Sequence, residues 1–134
     1  MFIAKVYKIA VISLSGIMEE TYAAKETVNK WNKANAEHSG KLFLTVDDEQ
    51  SADVLVCVIG NRVEKRDIVE DALKAGKHVL LFSSAYQDPK NTIASEQSAM
   101  EEYMREMQQR CYCASFNGAT ELVNVLVERL NEIE

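Results

Sequence analysis

Short apolar runs alternate along the chain with longer segments in which apolar positions recur every three or four residues. That alternation predicts an α/β domain built on a mostly parallel sheet. Five runs read as strands: 7–13, 41–46, 54–59, 78–82 and 113–116. The third and fourth are almost wholly apolar, as strands covered on both faces should be. Between them, Ile17, Ala24, Val28 and Trp31 fall on one side of a helix whose other side carries Glu19, Glu26, Lys30 and Lys33. Ser15 is placed to cap this helix, and the 35–40 stretch with its glycine ends it. Residues 66–75 carry Val69, Ala72 and Leu73 on one face and stop at Gly76, a residue that tolerates the left-handed conformation beyond a helix end. Ser95 opens a third helix running to Arg110 with Ala99, Met100, Tyr103, Met104 and Met107 on one stripe. A fourth spans 118–132 with Ala119, Leu122, Val123, Leu126 and Leu130. One-sided spacing makes the methionines core fillers rather than metal ligands or a partner-binding stripe.

The link between the second and third strands breaks the pattern. Only 47–52 separate them, whereas a crossover between parallel strands ordinarily takes ten to twelve residues or more. Six residues span at most ~20 Å, about one strand length, so the link is stretched tight or strand two is antiparallel.

Composition fits one domain over 1–134. The 134 residues are 47% hydrophobic and 27% charged, with five Gly and one Pro. Area scaling buries about two-thirds of the unfolded chain's surface, enough for a core without disulfide or metal staples. Fifteen Lys+Arg against 21 Asp+Glu leave a net charge of −6, the wrong sign for a nucleic-acid binder or a protein held on an anionic membrane. The longest apolar stretch, 9–14 with a serine inside, is far short of the ~20 residues of a membrane span, and no leader pattern is present; a cytoplasmic protein is expected. Of three cysteines, Cys57 lies within an apolar strand and reads as a small hydrophobe. Cys111 and Cys113 lack the further ligands a structural zinc needs, so no metal is expected and the pair reads as a strand edge with one thiol inward.

In an open α/β sheet, ligands bind outside the carboxyl ends of the strands, where helix N-termini offer N–H groups to anions. After the first strand come Ser13, Ser15 and Gly16, small and hydroxylated, either a phosphate or ribose cradle or plain helix capping. No dinucleotide or Walker motif is present, and no cofactor is implied. After the third strand come Asn61 and Arg62, then Asp67 and Glu70 in or near the second helix. Those carboxylates either favour the helix dipole or serve as a catalytic group. Ser83 follows the fourth strand. His38 sits in a polar turn and His78 at the amino end of a strand, the wrong edge for catalysis.

Several segments together carry a resemblance: Trp31-Asn32, Ser51-Ala52-Asp53-Val54-Leu55-Val56, Glu70-Asp71-Ala72-Leu73-Lys74-Ala75-Gly76-Lys77-His78-Val79-Leu80-Leu81-Phe82-Ser83-Ser84-Ala85, Glu96-Gln97 and Glu121-Leu122. In these the chain resembles the TIR-like domain of unknown function often found at the N-terminus of signalling NTPases. That fold is related to TIR domains and nucleoside 2-deoxyribosyltransferases, which act on N-glycosidic bonds. The resemblance implies a flavodoxin-like or TIR-like sheet of about five strands in order 2-1-3-4-5, with about four helices. The family's Pro-x-Asp after the first strand reads Leu14-Ser15-Gly16 here, its Glu-Arg pair reads Glu20-Thr21, and its helical glutamate falls near Ile68, with Asp67 and Glu70 as displaced candidates.

The function expected is therefore a nucleotide- or nucleoside-recognising signalling or binding domain using Ser13, Ser15, Gly16, Asn61, Arg62 and Ser83. Two alternatives stand beside it: an N-glycosidic hydrolase or transferase acting on NAD or a nucleoside through Asp67 or Glu70, and a non-catalytic oligomerisation or adaptor module. The missing helix also predicts a homodimer, since Leu42, Leu44, Val54 and Val56 or their neighbours would otherwise meet water, with Phe2, Ile3 and Val6 as further contacts.

Overall fold

The computed structural model describes residues 3–14, 18–60, 62–85 and 94–133. These form strands β1 (Lys5–Ser13), β2 (Lys41–Thr45), β3 (Val54–Ile59), β4 (His78–Ser84) and β5 (Tyr112–Phe116). Helices α1 (Met18–Ser39), α2 (Arg66–Lys74), α3 (Ala94–Met107) and α4 (Ala119–Glu132) lie between and after them. All four strand pairings are parallel and the order is β2-β1-β3-β4-β5, the flavodoxin-like order expected from the sequence. Gly76 takes a φ of 74° beyond α2. Its N–H donates to Leu73 O and that of Lys77 to Ala72 O, the two bonds that close a helix end through a left-handed residue. Gly40, at φ 72°, ends α1 in the same conformation.

Strand alternation divides the core in two. Ile9, Val11, Phe43, Val54, Val56, Val58 and Phe82 face Val28 and Trp31 of α1 and Leu122, Leu126 and Leu130 of α4. Ala10, Leu55, Cys57, Ile59 and Leu81 face Val69 and Ala72 of α2 and the three methionines of α3. The methionines are thus core, as their spacing predicts.

Strand two is parallel, and its link is not stretched. Ile9 of β1 is in register with Thr45, the last residue of β2, and also with Val54, the first of β3. The two strands flank opposite halves of β1, so residues 46–53 cross its width and make no return journey along it. Two strand spacings, about 10 Å, are an easy reach for eight residues. The ends of the link are pinned at one level: Val46 N–H donates to Ile9 O, and Asp53 N–H to Lys8 O. Val46 and Ala52 pack into the α2/α3 side of the core. That is the side required, because β1 to β2 and β2 to β3 run in opposite directions across the sheet and a right-handed crossover must change face.

The helix-free corner is where the sheet meets water, though not at all the residues expected. Val54 and Val56 are fully buried, because their side chains point to the α1/α4 face. Val6 and Leu44, on the other face, are 50% and 48% exposed. Lys8, in register with Leu44, is exposed beside them.

Candidate functional site at the carboxyl edge of the sheet

The chain leaves β1 toward α1 on one face and β3 toward α2 on the other, so the crevice between loops that part to opposite faces lies between β1 and β3. Two backbone bonds shape it: Leu14 N–H donates to Val58 O at 2.9 Å, and Glu64 N–H to Leu14 O at 3.0 Å. Ser13, the last residue of β1, is in register with Val58, which is in register with Phe82. It therefore stands on the α1/α4 face. Its Oγ is buried and has no hydrogen-bond partner among the described residues. An orphaned buried hydroxyl costs about 1–3 kcal/mol, so its presence calls for a reason.

Ser83 is buried on β4, in register with Ile59 and Ser115. It points to the α2/α3 face. The sheet thus does not bring Ser13 and Ser83 onto one surface; they flank the crest from opposite sides, two strand spacings or roughly 10 Å apart. Arg62 is on the loop after β3 and pairs with Glu64, Nε to Oε1 at 2.8 Å, with both side chains about half exposed. Exposed pairs of this kind contribute little, about 0–1 kcal/mol, so the guanidinium can exchange partners at small cost. Ser15, Gly16 and Asn61 lie outside the described residues.

The two candidate carboxylates are not brought together. Glu70 is held by Arg110, whose Nη1 and Nη2 donate to Oε1 and Oε2 at 2.6 and 2.7 Å. This fork ties α2 to the turn after α3, and the hydrogen bonds from Arg110 hold the Glu70 carboxyl below its usual range. A carboxylate so occupied is an ion-pair partner and not a proton donor. Asp67 is exposed in the first turn of α2, beside a groove of about 500 Å³ bordered also by Glu49, Asp71, Ala75 and Lys77. Lys77 is engaged there, donating from Nζ to the carbonyls of Glu49 (3.1 Å) and Gln50, which fastens the β2–β3 link to the end of α2. No local signal marks that tie, since Lys77 and Gln50 are 27 positions apart.

Other polar residues prominent in the sequence have architectural partners. Asp53 Oδ2 accepts from Lys8 N–H at 2.9 Å, and its carbonyl from His78 N–H, joining the middle of β1 to the amino ends of β3 and β4. Asn32 Nδ2 donates to Phe43 O at 2.7 Å while Oδ1 accepts from Phe43 N–H at 2.9 Å, so one amide takes the place of a further strand on the outer edge of β2. Trp31 Nε1 donates to Asn131 Oδ1. Cys111 and Cys113 differ from the expectation of one inward thiol: both are half-buried against the same α2/α3 side of the core, because positions two apart share a face. Among the described residues no group of His, Cys, Asp and Glu is arranged to hold a metal, and no helix is long and apolar enough to cross a membrane.

No family model and no curated protein matches the chain. Among solved structures it resembles a de novo designed Rossmann 2x3 fold protein, with 15% sequence identity, a TM-score of 0.53, and coverage of 97% of this chain and 91% of that one. It also aligns with homoserine dehydrogenase of S. aureus, at 16% identity and a TM-score of 0.48, over 84% of this chain and 33% of that one. The first of these likenesses shows the fold alone: a Rossmann-like α/β sheet of five parallel strands with four helices.

Proposed function

We propose that the chain is a nucleoside- or nucleotide-recognising domain of the TIR-like kind, serving signalling by binding and not by turnover, with its ligand across the carboxyl edge between β1 and β3. The observation that carries this reading is the Ser13 hydroxyl, buried and without a partner among the described residues, at the place where doubly wound sheets receive ligands. A ribose hydroxyl satisfies such a group, and Arg62, released from Glu64, supplies a fork for a phosphate. Ser83 flanks the crest from the other face. The N-glycosidic alternative asks more of the chain, since both oxygens of Glu70 are occupied and Asp67 opens on an exposed groove.

Thermal shift and calorimetry against nucleosides, NAD, ADP-ribose and cyclic nucleotides test it. At least one compound should raise the melting temperature, and Ser13→Ala should weaken that compound about five- to tenfold, the equivalent of one hydrogen bond of about 1 kcal/mol. Incubation with NAD and purine nucleosides should release no base. A flat response across the panel overturns the reading, and released base replaces it with the enzymatic one.

A second reading concerns assembly and rests on the half-exposed Val6 and Leu44 at the helix-free corner. We propose that a second copy of this chain covers them, face to face. Asn32 and Ser39 already bond the outer edge of β2 at Phe43 and Lys41, which closes edge pairing. The exposed Asp47 and Asp48 of the link complement Lys8 of a two-fold partner. Ile3 is exposed just before β1; Phe2 lies outside the described residues. Light scattering should give twice the chain mass and Leu44→Glu should halve it, whereas a wild-type mass near 15.1 kDa refutes the dimer.

A further inference from the structure

We propose that Cys111 and Cys113 are a redox-active dithiol, oxidised by a peroxide to an intramolecular disulfide and returned to thiols by a reductant. All three cysteines of the chain are free, and the sheet register separates their roles. Cys57 is fully buried on β3, in register with Leu81, which is in register with Cys113. Two strand spacings, about 10 Å, lie between Cys57 and Cys113, beyond the ~7 Å over which a disulfide closes without backbone movement.

Cys111 and Cys113 are differently placed. Both are half-buried, and the Cys113 thiol lies 3.7 Å from the carbonyl oxygen of Cys111. Residues two apart in a strand are separated by roughly 6.6 Å, inside the range a disulfide spans but near its upper end. Cys111 lies outside the ladder that sets that spacing. It stands in the bend before β5, its N–H bonded to Met107 O, and the β4 ladder begins only at Tyr112. β5 is the last strand of the sheet and, among the described residues, has no strand on its outer side to resist a pucker.

The surroundings divide the labour between the sulfurs. The side-chain interaction with Cys113 and the positive charge of the neighbouring Arg110 hold the Cys111 thiol below its usual range; the same interaction and burial push Cys113 up. Cys111 is the attacking thiolate and Cys113 the resolving thiol. In the first step the Cys111 sulfur bonds one peroxide oxygen, the O–O bond breaks, and the departing oxygen leaves as water with a proton from solvent. In the second, Cys113 attacks the sulfenic sulfur, the S–S bond forms, the S–O bond breaks, and hydroxide leaves as water with the Cys113 proton. Two thiols give two electrons and one peroxide is reduced to two waters. A bridge across so short a loop is strained, and therefore readily reduced.

The test is intact mass with thiol counting on the full chain. After hydrogen peroxide and then unfolding in N-ethylmaleimide, the wild type should be 2 Da lighter and take up one maleimide in place of three, and dithiothreitol should restore all three. Cys113→Ser should lose no 2 Da and instead gain oxygen at Cys111. Cys111→Ser should retain both remaining thiols at the same peroxide dose. Three maleimides on the treated wild type, a disulfide that joins two chains, or equal oxidation of wild type and Cys111→Ser each overturns the proposal; matching far-UV spectra establish that the variants are folded.

Discussion

At the scale of single residues, the informative groups are buried ones whose chemistry does not match their surroundings. Tyr103 is 4% exposed, stacks under the Arg66 guanidinium at 4.6 Å, and its hydroxyl has no hydrogen-bond partner among the described residues. Tyr103→Phe removes an unmet polar group without opening a cavity and should raise stability by about 1 kcal/mol in urea unfolding; a loss of that size would reveal a partner the hydroxyl depends on. The same burial governs pH dependence. Desolvation pushes the Tyr103 phenol up to about 12, and it raises the Cys57 thiol well above its ordinary 9.0. Both groups are neutral when protonated, so the folded state holds protons that the unfolded chain releases. Stability is fully present below pH 9 and declines as the pH climbs past 9 for Cys57 and past 10 for Tyr103. Cys57→Ala should lower stability at neutral pH and flatten the first part of that alkaline decline, as measured by urea midpoints between pH 7 and 11. An unchanged alkaline slope would assign the effect elsewhere. Glu70 works in the opposite direction: its lowered pKa adds stability above the usual carboxylate range that is lost on acidification.

At the scale of elements, what sequence reveals and what it hides follow from range. The strand 54–59 and the helix stop at Gly76 are legible because apolar runs and left-handed glycines act locally. The direction of β2 is not, because it depends on stagger, a relation among Ile9, Thr45 and Val54 that no window of the chain contains. Counting residues in the link assumed strands stacked level; a half-strand offset removes the need for a helix. Asn32 shows the same limit from another side. Beside Trp31 it reads as part of a family signature, yet its amide closes the outer edge of β2 by bonding both backbone groups of Phe43. Asn32→Leu leaves that N–H and C=O unpaired on an edge strand, and should cost about 1–3 kcal/mol in denaturant unfolding. Asn32→Asp keeps the acceptor alone and should fall between. If both variants match the wild type, the amide is not what closes the edge.

At the scale of the whole molecule, the strand order and register place the carboxyl ends of β1, β3, β4 and β5 on one crest, and ligand chemistry is a question about that crest. Its serines were readable from the sequence as hydroxyls in the right loops. That Ser13 and Ser83 face opposite sides was not, since it follows from the pairing of Ser13 with Val58 and of Ser83 with Ile59. The carboxylates divide likewise: Glu70 is spent on Arg110, a partner 40 positions away, and Asp67 turns to a separate groove. The crest and that groove are distinct places for a ligand, and backbone amide chemical-shift mapping tells them apart. Titrating the nitrogen-15-labelled chain with the nucleotide that gives the largest thermal shift should move the amides of Ser13, Leu14, Gly60, Arg62 and Ser83 and leave those of Glu49, Asp71 and Lys77 in place. Shifts centred on Glu49, Asp71 and Lys77, or none at saturating nucleotide, would contradict recognition at the carboxyl edge.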